Sequence, residues 1–164
     1  MGDSSLGARF SAEVRAGVER TVGSAPAILQ LVVAASVAYL ICHLLLAHPY
    51  PIAAVTVTLS GLGLVLDARP RRVLESAAAM TVGIALSEVI LLAFGQGMWQ
   101  FAVTLLVALA VTRALSPVPG LPILAAVQAA LVSLMPLPIG GPFTRTIDAV
   151  VGALVALAAT ALLP

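Results

Sequence analysis

The 164-residue sequence has no lysine, a single cysteine and few aromatic residues, and only 9% of its positions carry charge. Without lysine there is no Walker-type phosphate loop, whose lysine must reach the nucleotide phosphates, so ATP hydrolysis by that route is excluded. The eight arginines are dispersed and form no basic stripe, which argues against nucleic acid as a partner. A lone Cys42 excludes an internal disulfide, and its position inside an apolar run reads as small apolar packing. His43 and His48 are five positions apart and do not share a helix face. No second thiol or suitable carboxylate completes a ligand set, so no metal and no cofactor is expected. Both histidines read as interfacial. Leu59-Ser60-Gly61 carries a serine between apolar residues but lacks the glycine pattern of an intramembrane nucleophile, and the chain is read as non-enzymatic.

What is present is hydrophobic: 61% of the residues, where a soluble domain has roughly a quarter of its residues charged. About 20 apolar residues cross a hydrocarbon layer of roughly 30 Å, and the sequence contains several runs of that kind. It is therefore read as an all-α integral membrane protein. Six of the fifteen charges fall in residues 1–23. There Leu6, Phe10, Val14 and Val18 recur every fourth position, with Arg9, Glu13, Arg15, Glu19 and Arg20 on the other faces. Residues 1–24 read as an amphipathic leader lying in the headgroup plane or, alternatively, solvated. The first hydrophobic run follows 24 residues, exceeds the length of a signal-peptide core and lacks a small-residue cleavage site, so it is not read as a signal peptide.

A six-helix transmembrane domain is predicted over residues 25–164, with spans at 25–47, 51–66, 73–94, 98–115, 121–135 and 147–163. The breaks carry turn chemistry: His48-Pro49-Tyr50-Pro51, Asp67-Ala68-Arg69-Pro70, Gly95-Gln96-Gly97, Ser116-Pro117-Val118-Pro119-Gly120, and residues 136–142 with Gly140-Gly141. The arginines set the orientation. Arg9, Arg15 and Arg20, then Arg69, Arg71 and Arg72, then Arg113 share one side, against Arg145 alone on the other. Both termini are expected in the cytoplasm, with Tyr50 and Trp99 at the outer interface.

The two halves look alike. Gln30 matches Gln100, Ala53-Ala54-Val55 matches Ala125-Ala126-Val127, and Arg72-x-x-Glu75 matches Arg145-x-x-Asp148. Each unit has an odd number of spans, so the second would be inserted upside down, as in many secondary transporters. Spans two and five are short and bracketed by prolines, which points to a binding site at their ends.

Glu88 lies well inside span three, where a carboxylate costs roughly 2.5–3.5 kcal/mol at the helix centre. It is either a substrate-path or proton-linked residue or a paired structural one. Arg145 and Asp148 share a helix face and either attract anions on the outer side or form a local ion pair. Arg72 and Glu75 make the corresponding inner pair, read as structural. Thr56, Ser60 and Gly63 recur along span two, for close packing or to offer hydroxyls to a substrate. Gln128, Gln30 and Gln100 are read as interhelical hydrogen-bonding groups, with Gln128 also a candidate for the path.

Ala27-Ile28-Leu29-Gln30, His48-Pro49-Tyr50-Pro51 with Ala53-Ala54-Val55, Arg69-Pro70-Arg71-Arg72-Val73-Leu74-Glu75 with Gly83, and Arg145-Thr146-Ile147-Asp148 with Gly152 stand in an order that resembles the fusaric acid resistance (FUSC) or aromatic acid exporter family. The plant malate channels are similar in outline. The resemblance implies a six-helix unit in the bacterial inner (plasma) membrane that moves small organic anions, aromatic ones among them, outward. It also implies a homodimer with the path near the subunit interface. By the same resemblance Arg145 with Asp148 and Arg72 with Glu75 are the residues to carry over. Members usually have a helical cytoplasmic domain after the membrane unit, whereas this sequence stops at Pro164. The alternative expectation is accordingly a non-transporting membrane subunit assembled with a larger partner.

Overall fold

The computed structural model describes residues 3–63, 69–136 and 140–162, and every regular element among them is helical. Helix α1 (Asp3–Gly23) precedes α2 (Ala25–Leu40), which continues through a π-helical turn, Ile41–Leu45. Then follow α3 (Ile52–Leu62), α4 (Pro70–Phe94), α5 (Met98–Leu115), α6 (Gly120–Leu134) and α7 (Thr144–Leu162). Among the described residues, four helical stretches are long and apolar enough to cross a membrane: Ala25–Leu45, α4, α5 and α7. Helices α3 and α6 are apolar but shorter, at 11 and 15 residues. At 1.5 Å per residue they reach only about 17 and 23 Å.

The helix ends follow from local chemistry. Proline opens α4 at Pro70, where its missing N–H is no loss. Gly63 and Gly95 stop α3 and α4 with φ of 63° and 74° and extended ψ, a backbone region that only glycine enters without strain. Two predicted boundaries shift. Helix α4 begins three residues before the predicted 73, and α7 three before the predicted 147. Residues 64–66 of the second predicted span, Asp67-Ala68, residues 137–139 and Leu163 lie outside the described residues.

The core is a four-helix unit of α3, α4, α6 and α7, joined by Val57, Ala77, Met80, Ile84, Val132 and Ala149. Two crossings within it are very close. A Cβ on Gly83 of α4 would overlap the carbonyl of Ala125 on α6, and one on Gly152 of α7 would overlap the carbonyl of Ala54 on α3. Small residues permit such backbone approach, and dispersion contacts then hold helices together in lipid. A buried hydroxyl accompanies each crossing. Thr58 Oγ1 donates to Gly152 O at 3.0 Å, and Ser87 Oγ donates to Ala129 O at 3.1 Å.

Helices α2 and α5 flank this core on different sides. Helix α2 buries Ala27, Leu31, Ala34, Ala38 and Cys42 against α3 and α7. Helix α5 buries Thr104, Ala108 and Thr112 and packs against α6 and α4. Their remaining faces, including Val32, Val33, Leu106 and Leu109, are exposed, which suits hydrocarbon contact. Helix α1 presents Phe10, Val14, Val18 and Val22 as an exposed apolar stripe.

Candidate functional site

Helices α3 and α6 do not pack closely on each other. Thr56 Oγ1 on α3 donates to Gln128 Oε1 on α6 at 3.1 Å, and this bond bridges the seam between them. Gln128 also points its amide at Met80 Sδ, 3.7 Å away. A cavity lies at each end of the seam. The first, about 410 Å³, is bounded by the start of α3, the end of α6 and the start of α7, with His48, Thr56, Gln128, Arg145 and Asp148 supplying its polar groups. The second, about 500 Å³, is bounded by the end of α3, the start of α6 and the start of α4, with Ser60, Arg69, Arg72, Glu75 and Ser76 at its wall. The short helices thus stop where cavities begin.

At the first cavity the buried charges are engaged with backbone as much as with one another. Glu88, 3% exposed, accepts the N–H of Arg145 at 3.1 Å, the N–H of Thr146 at 3.0 Å and the hydroxyl of Thr146 at 2.5 Å. These amides belong to the first turn of α7 and have no partner within the helix, and a carboxylate there also meets the positive end of the helix dipole. The guanidinium of Arg145 turns the other way. Nη1 donates to Val132 O at 2.9 Å and Nη2 to Pro136 O, which satisfies carbonyls at the end of α6. Gln96 Nε2 adds a bond to Met135 O at 2.7 Å. One set of side chains therefore ties the start of α7 and the end of α6 to α4.

Asp148, one turn further along α7, is 2% exposed and lies 2.6 Å from Nδ1 of His48, which is 13% exposed. The π-helical turn and Ala47, at a φ of 54°, lead the chain out of α2 so that His48 reaches α7. The N–H of His48 donates to Cys42 O at 3.1 Å, and Nδ1 of His43 lies 3.2 Å from His48 O.

The residues named from sequence divide between these features. Thr56, Gln128, Arg145 and Asp148 meet at the first cavity, and Ser60 joins Arg72 and Glu75 at the second. Glu88 lies behind the first cavity as a helix anchor and is about six residues, or 9 Å, from the end of α4. Glu75 is bound at 2.9 Å by Nε of Arg71, four residues away on the exposed face of α4, rather than by Arg72. Asp148 pairs with His48 and not with Arg145, whose guanidinium is occupied at α6. Gln30 donates to Ala159 O near the end of α7 at 3.2 Å, and Gln100 donates to Phe94 O at the end of α4 at 3.1 Å.

Sequence reasoning missed His48. The signal was there: buried Asp148 needs a partner, and the predicted topology puts the 48–51 turn on the same side as the start of the sixth span. Histidine spacing alone, measured only against a metal site, hid it.

Long apolar helices packed through small residues define a multi-pass membrane protein, and the cavities fit one related to membrane transport. The family described as fusaric acid resistance protein-like matches residues 34–159, and the chain belongs to it. It is also 32% identical over 138 residues to an uncharacterized protein of Corynebacterium glutamicum, an alignment that takes in 84% of this chain and 36% of that protein. The chain thus spans about a third of that relative's length. No solved structure matches it.

Proposed function

We propose that the chain carries small organic anions, aromatic carboxylates among them, outward across the bacterial inner membrane along the α3/α6 seam. One observation carries this reading: two cavities, each with arginine and carboxylate groups, at the two ends of two short helices bridged by Thr56 and Gln128. All six helices from α2 to α7 enter the bilayer, α3 and α6 incompletely.

An inverted repeat of α2–α4 and α5–α7 accounts for several pairings at once. Exchanging the halves turns the α3/α7 crossing at Ala54 and Gly152 into the α6/α4 crossing at Ala125 and Gly83. It turns Gln30 on the end of α7 into Gln100 on the end of α4. It also turns the first cavity, with Arg145 and Asp148, into the second, with Arg72 and Glu75. The packing pairs Ala54 with Ala125, one residue from the match read in the sequence.

With both termini cytoplasmic, the second cavity faces the cytoplasm, and Arg69 and Arg72 gather anions there. A cytoplasm-negative potential then favours outward movement by roughly 2.3 kcal/mol per charge per 100 mV. The apolar stripe of α1 lies in the cytoplasmic headgroup plane. The exposed faces of α2 and α5 meet lipid or, in a homodimer, the second copy.

The test is benzoate efflux from liposomes containing the purified chain under an inside-negative potential. Efflux well above that of protein-free liposomes, and reduced by Arg72→Gln, supports the proposal. Efflux equal to that of empty liposomes overturns it.

A further inference from the structure

We infer that His48 and Asp148 form a proton-binding site whose occupancy is linked to the presence of an anion in the first cavity. The inference rests on the transport reading of that cavity. The dyad is built into the cavity wall: both residues line it, Nδ1 and Oδ1 are 2.6 Å apart, and the carboxylate is almost wholly buried. At this distance an imidazole nitrogen and a carboxylate oxygen hold a proton between them in one charge-assisted hydrogen bond.

The neighbouring charges show what that proton does. Arg145 is the cation of α7 at this end, and Glu88 of α4 sits against its backbone. Cys42 at the end of α2 lies against Asp148. His43 reaches the backbone of His48, and Tyr50 lines the cavity at its mouth. Among these groups Glu88 and Asp148 are negative and Arg145 is positive. A proton on the dyad makes the cluster neutral, and its loss leaves one net negative charge. An entering anion meets repulsion in the second state and none in the first.

Linkage makes the effect reciprocal. If protonation favours the anion, the anion favours protonation by the same factor. Couplings between two such sites are typically about 5–150-fold, and a factor of about tenfold is expected here. The dyad therefore binds a proton as the cavity fills and releases it as the cavity empties. His48 is the residue through which this end senses pH.

The experiment is calorimetric titration of the chain in lipid nanodiscs with benzoate and with benzenesulfonate. The sulfonate stays ionised throughout, so any pH dependence of its binding belongs to the protein. Expected is affinity about tenfold higher below the titration of the dyad than above it, with proton uptake seen as a dependence of the heat on buffer ionisation enthalpy. His48→Gln keeps a hydrogen-bond partner for Asp148 but removes the imidazole, giving weak binding across the pH range in which the wild type changes. His48→Arg supplies a permanent cation and gives tight binding at every pH. Binding of both probes that is independent of pH in the wild type overturns the inference and leaves the transport reading standing. Absence of binding at any pH overturns both.

Discussion

The carboxylate of Glu88 accepts the backbone N–H of Arg145 at 3.1 Å, while the guanidinium of that arginine donates to Val132 O at 2.9 Å. Two residues of opposite charge thus join α4, α7 and α6 without facing each other as ions. Each neutralises the partial charge of a helix end. Glu88 meets the positive start of α7, and Arg145 meets the negative finish of α6.

Glu88→Gln removes the charge from the α7 anchor but keeps a carbonyl acceptor. A charge-assisted bond contributes about 1.5–3 kcal/mol, so the variant is expected to unfold more readily by roughly the lower figure. Its efflux should keep the wild-type pH profile, because the carboxylate faces amides and lies outside the cavity wall. Thermal unfolding in detergent together with efflux at several pH values checks both. A changed pH profile at unchanged stability would favour the proton-linked of the two roles that the sequence position of Glu88 allows.

Arg145→Ala leaves carbonyls at the end of α6 without their donor and takes the cation from the first cavity. Stability and efflux should both fall. Arg145→Lys restores the charge but not the planar fork that spans two carbonyls, so part of the efflux should return while the unfolding temperature stays low. Unchanged flux in Arg145→Ala at equal expression removes the residue from the mechanism.

Gly83→Ala and Gly152→Ala each force a methyl group into backbone of the facing helix. Overpacking of this kind costs about 1–3 kcal/mol. Gly17→Ala on α1 meets nothing within 4 Å and serves as the control, with no loss expected. Comparable unfolding of all three variants would mean that the two crossings are looser than described.

Gln128→Ala removes the bridge to Thr56. A net hydrogen bond contributes about 0.5–1.5 kcal/mol, so a closed seam should open about two- to tenfold more often, and benzoate efflux should rise by a similar factor. Thr56→Val is expected to act in the same direction. Lowered efflux in both, with folding intact, would make the pair a substrate contact rather than a closure.

Much of the architecture was legible from composition and spacing. The apolar runs and the shortness of α3 and α6 reflect local rules that act within a few residues, whereas Pro70, read as part of a turn, opens α4. Thr56, Gln128, Arg145 and Asp148 were singled out as polar groups in apolar surroundings, and they meet at one cavity. Their partners were not legible. Glu75 shares a helix with both Arg71 and Arg72, and either spacing permits a pair; side-chain direction selected Arg71.

The sequence by itself determined that this chain is helical, belongs in lipid and carries few charges within its apolar stretches, because hydrophobicity and helix termination are written along neighbouring residues. Only tertiary structure decided that Glu88 anchors α7, that Arg145 caps α6 and that Asp148 pairs with His48, 100 residues away. Such partners depend on how backbones cross at Gly83 and Gly152. Those crossings come from the joint packing of several helices, which the local pattern of any one of them does not contain.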